Sequence, residues 1–212
     1  MKVLITGADG FVGKNLRLHL SERKDVEVVC FTRSHVLAQL PNLLHGVDFV
    51  FHLAGVNRSQ DPQEFTTGNA DLTQALCRAV CDLSEATGRK VSIIGTSSTQ
   101  AGRDNPYGRS KLAAERALRA AERSNHVSVH IFRLPNVFGK WCKPNYNSAV
   151  ATFCDNIARD LPIQVNDPAA PVTLVYVDEV IRSFVQLMDG ADSVVGPEGF
   201  ATVAPQYTTT VG

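Results

Sequence analysis

Seven residues near the start of the chain constrain its fold more than any others. Gly7-Ala8-Asp9-Gly10-Phe11-Val12-Gly13 follows a short apolar run, Val3–Thr6, and opens a helical pattern over Gly10–Glu22. Glycines at this spacing permit a tight turn, let the backbone approach a pyrophosphate, and allow a helix to pack closely on a strand. The helix N-terminus adds free N–H donors and a partial positive charge. Gly7, Asp9, Gly10, Phe11, Val12 and Gly13 are therefore candidates for holding a nucleotide. The plain alternative is a glycine-rich turn with no ligand. The placement directly after an N-terminal strand strengthens the first reading.

The rest of the chain repeats the strand-then-helix rhythm. Further strands are expected at Val26–Phe31, Asp48–His52, Val91–Gly95 and Ser128–Arg133, with helices over Thr67–Thr87 and Pro106–Arg123. Only a small helix around Val36–Leu44 fits between the second and third strands. This alternation predicts an α/β fold, a Rossmann-like doubly wound parallel sheet. Continuous apolar strands such as Phe49–Leu53 suit a sheet covered on both faces. After Gly139 the character changes to an ordered loop at Trp141–Asn147, a helix near Ser148–Arg159, a strand at Val172–Tyr176 and a helix at Asp178–Met188. Residues 1–190 are thus read as one nucleotide-binding domain, with a small C-terminal substrate-binding region beginning at about residue 134. The Gly-, Pro- and Thr-rich residues 191–212 read as a linker or tail, and the chain as a fragment of something longer.

Charge and composition exclude several classes. Lys plus Arg and Asp plus Glu both number 21, so the formal charge is zero and a nucleic-acid partner is not expected. No apolar stretch approaches the ~20 residues that cross a bilayer, and the first residues lack the flanks of a signal peptide. Neither a membrane association nor a secreted location is expected. The five cysteines, with no CxxC pair, fit a reducing cytosol and a cytoplasmic protein. Cys77 and Cys81, four apart, read as small buried thiols rather than half a metal site. The six histidines are scattered, so no metal site is expected.

Chemistry concentrates elsewhere. Tyr107-Gly108-Arg109-Ser110-Lys111 opens a helix and puts a phenol and an ammonium on one face. A free phenol titrates near 10, too high for proton transfer at neutral pH, and a neighbouring ammonium is expected to lower it. The fourth strand ends Gly95-Thr96-Ser97-Ser98-Thr99, where one hydroxyl can meet a substrate carbonyl beside Tyr107; Ser98 is preferred, with Ser97 as the alternate. Either the cluster serves the substrate or it merely caps the strand. At the end of the second strand Cys30-Phe31-Thr32-Arg33-Ser34 carries no acid to accept a ribose 2′-hydroxyl, and Arg33 can pair with a 2′-phosphate. This favours NADPH over NADH.

These motifs occur in the order of the extended short-chain dehydrogenase/reductase family, which the chain resembles over roughly residues 1–190. The resemblance rests on the glycine turn, Asp48-Phe49-Val50-Phe51-His52-Leu53-Ala54-Gly55, the serine cluster, Tyr107 and Lys111, Arg133-Leu134-Pro135-Asn136-Val137-Phe138-Gly139, and Tyr176-Val177-Asp178-Glu179-Val180. It adds Leu53, Ala54 and Gly55 to the cofactor candidates. A narrower likeness, carried by His52–Arg58, Asp104–Gly108 and Pro135–Ser148, is to the capsular-polysaccharide reductases of the CapF/WbjC type. That resemblance implies NADPH-dependent reduction at C4 of a UDP-2-acetamido-2,6-dideoxy-hexos-4-ulose, on the route to UDP-N-acetyl-L-fucosamine. It further implies a homodimer and a second, metal-bearing cupin domain that this chain lacks. Asn136, Lys140, Lys143 and Asn145 follow the fifth strand and are the candidate substrate arm, with one lysine facing the diphosphate; Arg133 reads as structural. A 4,6-dehydratase is disfavoured because no acid follows Thr96. The remaining alternatives are an NAD-dependent 4-epimerase and a non-catalytic nucleotide-sensing module.

Overall fold

The computed structural model describes residues 1–124 and 126–212. Five parallel strands form the main sheet: β1 (Lys2–Thr6), β2 (Glu27–Phe31), β3 (Phe49–His52), β4 (Val91–Ser98) and β5 (Val127–Leu134), in the order β2-β1-β3-β4-β5. The helices are α1 (Phe11–Ser21), α2 (Leu40–Leu44), α3 (Pro62–Phe65), α4 (Leu72–Thr87), α5 (Pro106–Ala121), α6 (Ala149–Ala158) and α7 (Val177–Met188). A three-stranded sheet of β6 (Asn136–Phe138), β7 (Pro171–Tyr176) and β8 (Tyr207–Thr210) stands beside the first; β7 runs parallel to β6 and antiparallel to β8.

Because successive strand residues point to opposite faces, the apolar strands feed two cores. Val3, Ile5, Phe51, Ile94 and Phe132 pack against Leu16 and Leu20 of α1 and Val180, Ile181 and Phe184 of α7. Leu4, Val50, Ile93, Val129 and Ile131 pack against α2, α4 and α5 through Leu40, Leu44, Leu76, Val80 and Leu118. The expected doubly wound architecture is the one found.

The structure adds elements that the sequence pattern does not announce. The stretch read as one helix over Thr67–Thr87 begins with a wide π-turn at Thr66–Asp71 before α4 settles into regular α geometry. Residues 191–212, read as a linker or tail, lie against the domain. Ala201 and Val203 are buried in the α1/α7 core, Ala201 bridges Phe132 on the free edge of β5, and β8 completes the small sheet. Their Gly and Pro content breaks the periodic pattern, yet a few well-placed apolar side chains suffice to hold them.

Candidate active site

The glycine turn is shaped by close approach. Gly7 has φ +68°, and a Cβ there would lie 2.6 Å from the Ala54 nitrogen; a Cβ on Gly13 would lie 2.2 Å from the Gly7 carbonyl oxygen. The turn after β1 and the turn after β3 therefore touch through bare backbone. Thr6 ties them further: its carbonyl accepts from the Leu53 N–H (3.2 Å) and its hydroxyl from the Ala54 N–H (3.2 Å). Gly10 caps α1 with no side-chain hydrogen bond, so the first N–H groups of the helix are left for a ligand. Phe11 and Val12 turn their side chains to the core and can offer only backbone, whereas Asp9 is drawn to Arg17 (2.8 Å). Arg33 stands exposed after β2, beside a tight turn in which Thr32 bonds Ser34 (2.8 Å) and His35 (3.1 Å). This cradle fits the pyrophosphate of a dinucleotide.

Tyr107 and Lys111 lie on the first turns of α5. Asn105 caps that helix, accepting from the Gly108 N–H at 2.7 Å, and Pro106 supplies a preset φ at its start. Gly108 is required between them, because a Cβ there would meet the carbonyl oxygens of Arg103 at 2.3 Å and Gln100 at 2.7 Å. The loop from β4 thus folds directly over the helix start and brings the serine cluster to Tyr107. Strand alternation separates the two serines. Ser97 turns toward α5 and donates to Glu115 at 2.6 Å, leaving Ser98 as the hydroxyl beside the phenol. Phe65 meets the Tyr107 ring edge-on, with centroids 5.9 Å apart.

Electrostatics here are governed by burial. The Lys111 ammonium is buried, donates to the Thr96 carbonyl at 3.3 Å, and titrates at about 8 because desolvation outweighs the attraction of Glu115. Burial pushes the Tyr107 phenol up, and the Ser98 hydroxyl opposes that rise. The expected lowering by Lys111 is not what this arrangement produces, since loss of water around the half-buried phenol dominates. A phenol held in its protonated form suits an acid.

Two buried residues extend the site beyond the sequence reading. Asn69, on the π-turn, accepts from the Val56 N–H (2.9 Å) and donates to the Val56 carbonyl (3.1 Å) and the Ser110 hydroxyl (3.0 Å). A Cβ on Gly55 would lie 2.8 Å from Asn69 Oδ1 and 3.1 Å from Lys111 Nζ, so Gly55 is where the turn after β3, Asn69 and Lys111 converge. His52 bridges Thr6 and Thr73, each at 2.7 Å, and titrates at about 3 because it is fully enclosed. The Ala54 N–H occupies the Thr6 oxygen, and the Thr73 hydroxyl donates to the Asn69 carbonyl at 2.6 Å. The hydroxyl protons then run one way, and His52 carries its proton on Nε2. The only sequence signal for Asn69 was its helix-starting neighbourhood, which does not single it out.

The four substrate-arm candidates are spread along the segment that leaves β5. The Asn136 side chain donates to the Thr173 carbonyl (3.2 Å), and the Lys140 ammonium lies 4.4 Å from the Trp141 ring centre. Lys143 is exposed, its N–H bonded to Asn147 at 2.9 Å. Asn145 adopts a left-handed φ of 57°, and its carbonyl accepts from Arg58 at 3.1 Å, which joins this loop to the segment after β3. A recess of about 430 Å³ lined by Asn57, Arg58, Ser59, Gln60 and Phe65 opens there, next to Tyr107 through Phe65. The larger recess, about 550 Å³, lies between α1 and β2 and contains none of the catalytic candidates. Burial raises both thiols, Cys77 to about 12; of the two, expected to be buried, Cys77 is, whereas Cys81 is only partly buried. Among the described residues no helix is long and apolar enough to cross a membrane, and no His/Cys/Asp/Glu group could hold a metal ion.

Comparison with known proteins places the chain in a family. The chain is 54% identical over 213 residues to a UDP-2-acetamido-2,6-beta-L-arabino-hexul-4-ose reductase of Pseudomonas aeruginosa, covering 100% of this chain and 55% of that protein. Among solved structures, the capsular polysaccharide assembling protein CapF of Staphylococcus aureus matches with TM-score 0.80 and 39% identity, over 100% of this chain and 55% of that one. A UDP-glucuronic acid 4-epimerase from Bacillus cereus, solved with NAD, shares the fold at TM-score 0.84 and 21% identity, over 100% of this chain and 81% of that one. The chain thus spans about half the length of the first two proteins. A family model for the NAD dependent epimerase/dehydratase family matches residues 3–201. Matched over most of its length, the chain belongs to the NAD-dependent epimerase/dehydratase family, the extended short-chain dehydrogenases.

Proposed function

We propose that this chain uses NADPH to reduce the C4 keto group of a UDP-2-acetamido-2,6-dideoxy-hexos-4-ulose, in capsule or O-antigen sugar-nucleotide synthesis on the route to UDP-N-acetyl-L-fucosamine. The observation that carries the reaction type is the placement of Ser98 beside Tyr107 and of buried Lys111 beside Gly55, in the turn that touches the glycine cradle. The substrate rests on the 54% identity to the Pseudomonas reductase. A homodimer of the longer protein and a cytoplasmic location belong to the same proposal.

The first N–H groups of α1, with Gly7, Gly10 and Gly13, would hold the pyrophosphate, and Arg33 a 2′-phosphate. Leu53, Ala54 and Gly55 would line the nicotinamide side. When bound, the reduced nicotinamide supplies the hydride. Tyr107 donates its phenolic proton to the carbonyl oxygen as that oxygen gains charge, giving the alcohol. Ser98 donates a hydrogen bond to the same oxygen and steadies it. Lys111, mostly an ammonium below pH 8, stabilises the phenolate left behind, which regains its proton from water. Lys140 or Lys143 would meet the UDP diphosphate as a point charge, with Asn136 and Asn145 beside it; the Arg58 bond to Asn145 supports placing that end of the substrate near the recess after β3.

The test is a panel of UDP-4-keto-6-deoxy sugars with the purified chain and NADPH. Stoichiometric NADPH consumption, with a new C4 proton in the product by NMR, is expected for the 2-acetamido sugar. Failure with every member, or epimer interconversion without net NADPH use, would overturn the proposal.

A further inference from the structure

We propose that Glu115 is the positioning residue of this site: paired with Arg133 and Ser97, it locks α5 onto the ends of β4 and β5, and it is the counter-charge of Lys111. This inference rests on the reductase reading above and concerns a residue that touches neither substrate nor cofactor.

The Glu115 side chain is 4% exposed, so its carboxylate must be fully partnered to remain charged. It is partnered: the Ser97 hydroxyl donates at 2.6 Å, and Arg133 donates through Nε and Nη2, each at 2.8 Å. Ser97 and Arg133 are themselves direct neighbours across β4 and β5. One carboxylate on α5 therefore pins two adjacent strands at the register from which Ser98 emerges. The guanidinium is held from outside as well, by Glu198 at 2.7 Å and by the Phe200 ring, whose centre lies 3.7 Å from Cζ. A two-pronged ion pair of this kind fixes direction as well as distance.

Glu115 lies four residues after Lys111, on the same face of α5. Among the described residues, the charged or titratable groups coupled to that ammonium are Glu115 on α5 and His52 on β3, with Tyr107 four residues earlier on the same helix; Arg133 on β5 is tied to Glu115. His52 is held neutral by burial, with Lys111 adding to that, so it lends the ammonium no charge. Glu115 is the group that works against the desolvation of Lys111. Removing its charge should therefore both loosen the helix and ease the proton off Lys111.

Two variants separate these effects from simple damage. Glu115→Gln keeps shape and removes charge; Glu115→Gln with Arg133→Met also removes the cation that the first change would strand. Lys111 is titrated by NMR of its Cε group in the unliganded protein, a readout that needs no substrate. In both variants its midpoint should fall by about 1 pH unit or more, and kcat at neutral pH should fall roughly 10- to 100-fold. The alkaline limb of the kcat profile should move down with the midpoint. If the doubly substituted protein folds with an unmoved Lys111 midpoint and wild-type kcat, Glu115 is a structural ion-pair partner and the proposal fails. A moved midpoint in a protein whose wild type reduces no keto sugar would support the role of Glu115 and overturn the reductase reading alone.

Discussion

Lys111→Met should make this protein more stable while abolishing its proposed chemistry. The wild-type chain keeps a buried ammonium that desolvation lowers from 10.5 to about 8. At about 1.4 kcal/mol per pH unit, that displacement corresponds to about 3 kcal/mol of destabilisation carried at neutral pH. Methionine has a similar length, needs no counter-charge, and gives up one long hydrogen bond to Thr96 worth about 1 kcal/mol. Glu115 is not orphaned, because Arg133 still holds it through two bonds. The variant should therefore gain about 2 kcal/mol at pH 7. The sign follows from proton linkage. Between about 8 and 10.5 the folded wild type has released the proton that the unfolded chain still binds, so its stability rises with pH. Urea unfolding of both proteins at pH 7 and pH 10 isolates this lysine from other titrations, since only the difference is read. The advantage of the variant should shrink by about 2 kcal/mol across that interval. A variant clearly less stable at pH 7, or a difference that ignores pH, would refute the reasoning.

Tyr107→Phe removes only the acid, so kcat should fall by roughly 10²- to 10⁴-fold with NADPH affinity nearly unchanged; retention of full activity in steady-state assays would remove Tyr107 from its role. Ser98→Ala should cost less, because the Tyr107 hydrogen bond to the oxygen remains. Gly13→Ala places a Cβ 2.2 Å from the Gly7 carbonyl and should eliminate cofactor binding, read by quenching of protein fluorescence; normal binding would show that the turn is not the cradle. Arg33→Asp should erase the expected preference for NADPH over NADH in paired affinity measurements, and an unmutated protein that binds NADH as well would defeat the choice of cofactor.

Much of the architecture could be read from the chain because its signals are local. The glycine turn, the alternating strands and the four-residue step from Tyr107 to Lys111 each lie within one element and its neighbour. What escaped depends on contacts between distant residues. Ser98 could be preferred over Ser97 from the strand end, but the reason, that Ser97 faces α5 and bonds Glu115, lay in the packing. Asn69 sits inside a stretch whose apolar spacing reads as plain helix, and its importance comes from Gly55 and Lys111 arriving from two other elements. The pairing of Glu115 with Arg133 spans 18 residues and two layers. The strands β6 and β8 are too short to carry a period and exist because β7 lies between them. Residues 191–212 lack periodicity altogether, so composition alone misses Ala201 and Val203. The phenol's upward shift likewise follows from enclosure, which no spacing reveals.

The position of Glu198 and Phe200 on Arg133 sets an order of events during synthesis of the chain. Arg133 and Glu198 are 65 residues apart, with β6, α6, β7 and α7 between them. At roughly 5–20 residues per second, the ribosome adds the second several seconds after the first. The five strands, α5 and α7 can associate in that interval, but the backbone edge at Phe132 and the outer side of the Arg133 guanidinium still face water along the open margin of β5. The ion pair that ties α5 to β5 is then completed by a segment made well after both. A nascent chain would reach its working geometry only after residue 203 has cleared the exit tunnel, well beyond the boundary that its composition marks at 190.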